Sequence, residues 1–262
     1  CANITYRNCV SINCRDALAG RHGKNILVDG GHFNRVDDHY GRNITVRNAE
    51  IHAVSTMIPG YMTPEVDLKN WGFIPSVAFV FGGCNFRLES CRIIGCSSLF
   101  SGRGDSADLY GTITLRDLVV ESDEDVALFN HIFSKEFDFA HQVRVPDRVT
   151  IENVTLTGSG RFRLNFCGGP GSHYGPVLIR SCHPIGEVQG REVEYTFDDC
   201  SFSETEFSGE ETVSSNFRNC VFSGDLTGLK SEHVGFASGN LLLKGSSVTF
   251  ESEYADEGKY ET

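Results

Sequence analysis

The chain has 262 residues, with 28 glycines and only 7 prolines, and its formal net charge at pH 7 is −12. A surface this acidic argues against nucleic acid and anionic membranes as partners, because both require a basic binding surface. The chain has no apolar run of about 18 residues or more, so no membrane insertion is predicted.

The first predicted element, Ile4–Cys9, is one copy of a six-residue pattern that recurs along the chain. Its first, third and sixth positions are mostly apolar or cysteine and the others are mostly polar, as in Ile44-Thr-Val-Arg-Asn-Ala49. A period of two predicts a short strand with one buried face. Copies begin at Ile4, Ile44, Phe86, Ile113, Val149, Val177, Tyr195, Ser215 and Val248.

Further apolar runs precede and follow many of the copies. Ile26-Leu-Val28, Phe162-Arg-Leu-Asn-Phe166 and Val234-Gly-Phe236 are runs of the first kind, and Arg92-Ile-Ile94 is one of the second. Three short strands per unit, with Gly and Asn at the corners, predict an all-β solenoid, a right-handed parallel β-helix of about nine rungs. Residues 1–262 form a single domain in this interpretation. A β-sandwich would not repeat polar and cysteine positions in register.

Cysteine occupies the sixth position in several copies, and the chain has 10 cysteines in all. A repeated position predicts a stacked column of free thiols, since a buried thiol packs as a small hydrophobe. A framework of disulfides is the alternative. Free thiols would in turn indicate folding in a cytoplasm. The cysteines concerned are Cys9, Cys91, Cys182, Cys200 and Cys220.

Some segments depart from the repeat. Residues 55–76 contain the only tryptophan and have no strand period, which predicts an inserted loop. The corner at 82–85 is short, whereas the corners before and after it are long. Residues 251–262 form an acidic tail or cap. The chain opens directly on a strand, as expected for a piece of a longer polypeptide.

The long corner before Ile44 contains two adjacent carboxylates and an imidazole, Asp37, Asp38 and His39. The short corner should leave a groove between these residues and Asp105 on the next long corner. Two rungs span about 10 Å, and carboxylates about 6.5–9.5 Å apart suit an inverting glycosidase. Asp37, Asp38 and Asp105 are therefore the predicted catalytic residues.

Cationic and polar side chains on the same corners could hold a glycan. Arg103 could pair with an anionic sugar or lower the pKa of a neighbouring carboxyl. The predicted substrate-binding residues are Arg35, His39, Arg103, Asp108, His131, Arg161, Arg163 and His173.

Two alternatives stay open for the aspartates. Adjacent aspartates in a turn often accept hydrogen bonds from backbone N–H groups and have no further role. A Ca²⁺ ion held by Asp37, Asp38 and Asp105 would instead favour lyase chemistry, with Arg103 as base or charge clamp. The histidines lack metal-ligand spacing, so no other metal or cofactor is predicted.

These patterns resemble pectin-lyase-like right-handed β-helix proteins, in particular the receptor-degrading domains of bacteriophage tailspikes and minor tail proteins. The repeated strands, the corner Asp37-Asp-His-Tyr-Gly41, and Arg103-Gly-Asp105 followed by Tyr110-Gly111 carry the resemblance. The calcium motif of pectate lyases is absent, and so is the set Asn-x-Asp, Gly-Asp-Asp and Arg-x-Lys of polygalacturonases. The residues of those two families are therefore not carried over.

The resemblance implies a component of the virion tail that binds, and often cleaves, a bacterial surface polysaccharide or teichoic acid. It also implies a homotrimer that folds in the host cytoplasm and acts outside the cell. The expected function is a polysaccharide depolymerase that acts by carboxylate-based glycoside hydrolysis. The alternatives are a non-catalytic glycan-binding or structural β-helix and a polysaccharide lyase.

Overall fold

The computed structural model describes residues 1–11, 18–53, 77–102, 109–132, 144–167 and 173–251. These residues form an all-β parallel β-helix, as the repeat predicts, in which strands of successive turns pair in parallel. One turn of 3₁₀ helix, Ser231–His233, interrupts the strands. The described residues contain no helix that is both long and apolar enough to cross a membrane.

The strands are β1 (Ala2–Ser11), β2 (Leu18–Arg21), β3 (Lys24–Phe33), β4 (Val36–Arg47), β5 (Glu50–His52), β6 (Val77–Glu89), β7 (Arg92–Ile94), β8 (Ser98–Gly102), β9 (Leu109–Glu121), β10 (Val126–Ile132), β11 (Arg148–Thr157), β12 (Phe162–Cys167), β13 (Val177–His183), β14 (Ile185–Asp198), β15 (Ser201–Arg218), β16 (Val221–Lys230), β17 (Val234–Phe236), β18 (Leu241–Leu242) and β19 (Ser247–Glu251).

The first positions of the repeat stack into one column through the parallel strand pairs. Eight of the nine predicted copies contribute to it, so the repeat is confirmed as the unit of the solenoid. The column runs Ile4, Ile26, Ile44, Phe86, Ile113, Val149, Val177, Tyr195, Ser215 and Val234.

Three strands were assigned to the wrong position in a rung. Ile26 and Val234 lie in the column of first positions, although the sequence placed them in strands that precede a copy. Val248 pairs with Leu226 and lies outside that column. Alternation with a period of two is the same in every half-buried strand, so it does not show which side of a rung a strand occupies. Gly30 also replaces the usual Asn in the copy that begins at Ile26.

The fifth position of the repeat turns the chain at a corner. Asn48 has a φ of 55°, and the equivalent Asn153 and Asn219 have φ of 53° and 54°. Asn, Asp and Gly adopt this left-handed conformation more readily than other residues, which explains why the position is polar. The Asn153 side chain also donates a hydrogen bond to Asp117 Oδ1 at 2.6 Å.

The core is a column of aromatic rings and small thiols. Phe100, Phe129 and Phe166 stack with centroid separations of 5.2 and 4.3 Å. All nine cysteines within the described residues are free, so the structure confirms the prediction of free thiols there. In the column, the Cys200 thiol donates to the Ile179 carbonyl oxygen and Cys220 to that of Phe197, at 3.5 and 3.6 Å.

The fourth position of the repeat forms a ladder of alternating charge, which we call the charge ladder. Arg47 pairs with Asp29 at 2.9 Å, and Glu152 lies between Arg116 and Arg180 at 2.8 and 3.2 Å. Every step therefore places an acid beside an arginine. The full ladder is Arg7, Asp29, Arg47, Glu89, Arg116, Glu152, Arg180, Asp198 and Arg218.

Candidate functional site

Three neighbouring strands precede segments that the sequence predicts to be long corners. Segments 103–108, 133–143 and 168–172 follow directly on the ends of β8, β10 and β12. β8 pairs with β10, and β10 pairs with β12. The sheet that contains these strands is therefore the place to look for side chains that act together.

The outer side of this sheet is polar. On β12, Phe162, Leu164 and Phe166 are buried in the core, and Arg163 and Asn165 alternate with them and are half-buried. Residues two apart on a strand lie on the same side of a sheet, so Arg163 and Asn165 face outward. The register extends the Arg163 column through Ser98, Ala127, Glu187 and Glu206, and the Asn165 column through Asp37, Val80, Ser101, Asn130, Gln189 and Ser208.

We call the central part of this surface the polar face, defined by Asn130, Arg163, Asn165, Glu187, Gln189 and Glu206. Asn165 Nδ2 donates to Asn130 Oδ1 at 3.3 Å, and Asn130 is buried. Among the described residues, the buried atoms Arg163 Nε and Asn165 Oδ1 have no hydrogen-bond partner. A buried polar atom in this state costs about 1–3 kcal/mol, so a ligand or water that pairs with it would be stabilised.

Ser98, in the Arg163 column, shows the same pattern. Its side chain is 2% exposed, and its hydroxyl oxygen has no partner within the part of the chain that the structure describes. Native structures pair nearly all buried polar groups. Three unpartnered buried atoms in one sheet, two of them on the outer side of β12, are therefore unusual for a scaffold.

Two carboxylates on this face lie on adjacent rungs. Glu187 on β14 is in register with Glu206 on β15, a separation of about 4.8 Å between strands. Within the described ranges neither carboxylate forms an ion pair, although Glu187 is in register with Arg163 on its other side. In the charge ladder, by contrast, no acid is in register with another acid. Like charges directly opposite each other destabilise a sheet. These two glutamates therefore depart from the pattern of the scaffold.

Arg35 and Asp37, both predicted to be site residues, form a buried ion pair. The Arg35 Nε to Asp37 Oδ1 distance is 2.9 Å, and the side chains are 7% and 3% exposed. Asp37 belongs to the outward Asn165 column, four strand steps from Asn165. With so little exposure, its carboxylate is engaged by arginine and is not open to a polymer in this conformation.

Asp38 points to the other side of the strand. It is in register with the buried Phe81, and its Oδ1 accepts a hydrogen bond from the Gly23 N–H at 3.3 Å. Burial raises the pKa of the Asp38 carboxyl above its ordinary value. Because Asp37 and Asp38 face opposite sides, they do not present a pair of carboxylates to one ligand. This arrangement favours the turn-stabilising interpretation.

His39 follows these aspartates and is half-buried. Its backbone carbonyl accepts a hydrogen bond from the His22 N–H at 2.8 Å. Arg103, Asp105 and Asp108 lie outside the described residues, so the predicted pairing of Asp105 with Asp37 and Asp38 stays a prediction.

The Arg161 side chain is fully engaged in contacts within the scaffold. Its guanidinium lies 3.1 Å from the Asp125 carboxylate and donates to the carbonyl oxygens of Ser203 and Glu204 at 3.1 and 3.0 Å. These contacts join rungs on both sides of β12. They leave few donors for a substrate, so we do not include Arg161 in the polar face.

The other two predicted histidines lie at different places. His131 is in register with Phe166 on the sheet of the polar face. His173 is exposed and its Nδ1 contacts the Glu192 carboxylate. Of the predicted residues on this part of the chain, Arg163 is the one whose side chain belongs to the polar face.

Asn130, Asn165, Glu187, Gln189 and Glu206 were not among the predicted site residues. The sequence does contain a signal for them, because polar residues alternate with core residues in the strands that lead into long corners. Phe162-Arg-Leu-Asn-Phe166 is such a strand. The repeat alone predicts that strand residues belong to the scaffold, so it does not distinguish these outward side chains from the others.

A separate surface depression of about 510 Å³ lies at the corner of the first rungs, beside Asp29, Gly31 and Glu50. Hydrogen bonds from Arg47 and Asn48 lower the pKa of Asp29 to about 2. His52 and Arg92 likewise lower that of Glu50. Both carboxylates are ionised and ion-paired, which suits a scaffold and not a general acid.

Within the described ranges, no group of three His, Cys, Asp or Glu side chains is arranged to hold a metal ion. Comparison of the chain with protein-family models, with curated proteins and with solved structures found no match. The architecture and the polar face are therefore the basis for a functional proposal.

Proposed function

We propose that this protein binds an extended polysaccharide along the polar face. The observation that carries the proposal is the pair of buried, unpartnered polar atoms of Arg163 and Asn165 on the outer side of β12. Planar amide and guanidinium groups bind hydroxyl and carboxylate oxygens through several hydrogen bonds at once. Sugar units of a chain laid across successive rungs would meet a new set of these groups at each step.

The overall charge supports a glycan over a nucleic acid. A net charge of −12 would repel a phosphate backbone, whereas sugars are bound through hydrogen bonds and local cations. The likeness to bacteriophage tailspikes supports a glycan of the bacterial surface as the partner. It also supports a homotrimer on a virion tail.

Glycoside hydrolysis is the second candidate, favoured by Glu187 and Glu206. Retaining glycosidases use two carboxyl groups about 5–5.5 Å apart, one as nucleophile and one as acid and base. Adjacent rungs offer about this separation. In this proposal one glutamate attacks the anomeric carbon, and the other protonates the leaving oxygen and later deprotonates the attacking water. Asp105 remains a further candidate for a catalytic carboxylate.

Binding and cleavage can be measured in one panel of bacterial surface polysaccharides and teichoic acids. We expect Asn165→Ala and Arg163→Gln each to weaken binding about tenfold, since each removes hydrogen bonds worth about 1.4 kcal/mol. Arg116→Gln, a charge-ladder variant with the same change in charge as Arg163→Gln, is the control and should bind normally. Normal binding by both polar-face variants would disprove the proposal.

Cleavage is read as the release of reducing ends. Glu187→Gln and Glu206→Gln should each lower the rate by at least about a hundredfold while leaving binding within a fewfold of the parent. Wild-type rates in both variants would exclude this pair as catalytic. Products with an unsaturated, ultraviolet-absorbing sugar would identify a lyase.

A further inference from the structure

Tyr40 lies on a bulge that directs its side chain outward. Asp38 pairs with Phe81, and Gly41 pairs with Gly83, so β4 has one more residue than β6 between these pairs. Tyr40 has a φ of 62°, which is strained for a bulky side chain. The residue is 39% exposed, so burial does not compensate the strain. Bulges that re-aim a side chain are frequent beside binding sites.

Neighbouring groups hold this ring in place. Tyr40 stacks on His22 with a centroid separation of 5.3 Å and an interplanar angle of 17°. The Asp38 carboxylate anchors the bulge from inside through the Gly23 N–H. A Cβ atom at Gly41 would lie 2.9 Å from Asp38 Cγ, so glycine is needed where the chain leaves the bulge. The result is a flat aromatic surface with a fixed orientation.

Two cations lie near these rings in the chain, since Arg42 comes two residues after Tyr40 and Lys24 two residues after His22. Lys24 is in register with Arg42, and both side chains are exposed. Neither forms an ion pair with another of the residues that the structure describes. The charge ladder shows that this chain pairs adjacent charges where they serve the scaffold. Two neighbouring cations on a chain of net charge −12 instead attract an anion.

We infer that Tyr40, His22, Lys24 and Arg42 form a subsite, the Tyr40 corner, for a sugar unit that carries an anionic group. The sugar ring packs on the face of Tyr40, whose aromatic surface is apolar and whose hydroxyl is polar. The carboxylate or phosphate of the sugar pairs with Lys24 and Arg42. This inference rests on the proposed polysaccharide-binding function and adds its substrate class, an acidic glycan. Asp38 is a positioning residue here, because it acts through the bulge.

Calorimetric titration with three probes tests the inference. Oligogalacturonides carry carboxylates, glycerol-phosphate teichoic acid carries phosphates, and dextran oligosaccharides are neutral. Lys24→Gln and Arg42→Gln should each weaken binding of an acidic probe about tenfold and leave dextran binding unchanged. Which acidic probe responds distinguishes a carboxylate ligand from a phosphate ligand. Lys244→Gln, an exposed lysine on the last described rung, is the matched control and should have no effect.

Tyr40→Gly separates a binding role from a structural one. Glycine adopts a positive φ without strain, so this variant should unfold at the same or a higher denaturant concentration than the parent. It should nevertheless bind the acidic probe at least about fivefold more weakly. A loss of stability together with unchanged binding would show that the ring is scaffold and would overturn the inference.

The polar-face variants Asn165→Ala and Arg163→Gln are titrated against the same probes. If they weaken binding and the Tyr40 corner variants bind all three probes like the parent, the corner is excluded and the proposed function stands. If only the corner variants weaken binding, the polar face is excluded instead. The inference about the Tyr40 corner is overturned if the parent binds none of the three probes. It is also overturned if the corner variants lose as much affinity for dextran as for the acidic probes.

Discussion

At the scale of single residues, the chain uses aspartate in opposite ways. Asp29 is held by Arg47 and Asn48, whose hydrogen bonds lower its pKa from 3.8 to about 2. Asp38 lies inside the solenoid, where burial raises its pKa above 3.8 although the Gly23 N–H partly opposes this effect. The first carboxylate therefore stabilises the fold when ionised, and the second costs free energy when ionised.

Asp38→Asn and Asp29→Asn should consequently show pH dependences of opposite sign. A raised folded pKa gives stability that is present at low pH and is lost as the pH rises above 3.8 through the folded pKa. Relative to the parent, Asp38→Asn should thus become more favourable between about pH 4 and pH 7. Asp29→Asn should be destabilising at pH 7, and its deficit should vanish as the pH falls from 3.8 to about 2.

Urea denaturation at several pH values measures both differences. Equal pH dependence of parent and Asp38→Asn would show that the Asp38 carboxyl titrates normally in the folded protein. Asp29→Asn is the matched control, because the chemical change is the same and only the environment differs.

The sequence could reveal that Arg35–His39 is unusual but not what its residues do. Two adjacent aspartates in a strand face opposite sides, unless a bulge intervenes, and the bulge here follows Asp38. The position of the bulge depends on the register between β4 and β6. The sequence of the corner alone therefore does not determine it. Sequence reasoning therefore found the region and did not separate the buried ion pair from the exposed Tyr40.

At the scale of the elements, the charge ladder fixes which strands pair. An acid and an arginine alternate at every step of the fourth column, as in Arg116, Glu152 and Arg180. Exposed ion pairs contribute little individually, about 0–1 kcal/mol. A strand displaced by one rung would nevertheless meet like charges on both sides, so the ladder disfavours wrong pairings more than it strengthens the correct one.

Glu152→Arg tests this role, because it places three arginines in a row. Each like-charge contact should cost about 0.2–1 kcal/mol, and Glu152→Gln should lie between that variant and the parent. Glu194→Arg makes the same change in net charge at an exposed position in register with Ser214, outside the ladder. Thermal unfolding at low and high salt measures the effect. If Glu152→Arg and Glu194→Arg lower the unfolding temperature equally, the charge ladder has no special role in strand pairing.

The elements themselves were largely predictable, and the exceptions have a common cause. The pattern of apolar and cysteine positions placed eight copies correctly, because core packing demands the same residue types in every rung. Ile26 and Val248 were misplaced, because strands on different sides of a rung share one alternation. The pairing of Ile26 with both Ile4 and Ile44 is what shows that Ile26 occupies a first position of the repeat.

At the scale of the whole molecule, the parallel β-helix separates stability from binding. The charge ladder lies on one side of each rung and the polar face on another, and each repeats along the same axis. A rung contacts mainly its neighbours in such a fold, so the outward residues of one side can change without disturbing the others. This is why Glu187 and Glu206 can remain unpaired, within the described residues, on a scaffold whose other side pairs its charges.

The core of the whole solenoid depends on free thiols, and its stability should not depend on redox conditions. Burial raises the pKa of Cys91 to about 11 and that of Cys96 to about 12, so these thiols are protonated and unreactive at neutral pH. We expect the midpoint of urea unfolding to be the same with and without a reductant. Loss of a native disulfide would instead cost about 2–5 kcal/mol. In the folded protein a thiol reagent should modify the exposed Cys1 rapidly, and Cys91 and Cys96 only at the rate of unfolding. Rapid modification of Cys91 or Cys96, or a lower unfolding midpoint in reductant, would contradict a core of buried free thiols.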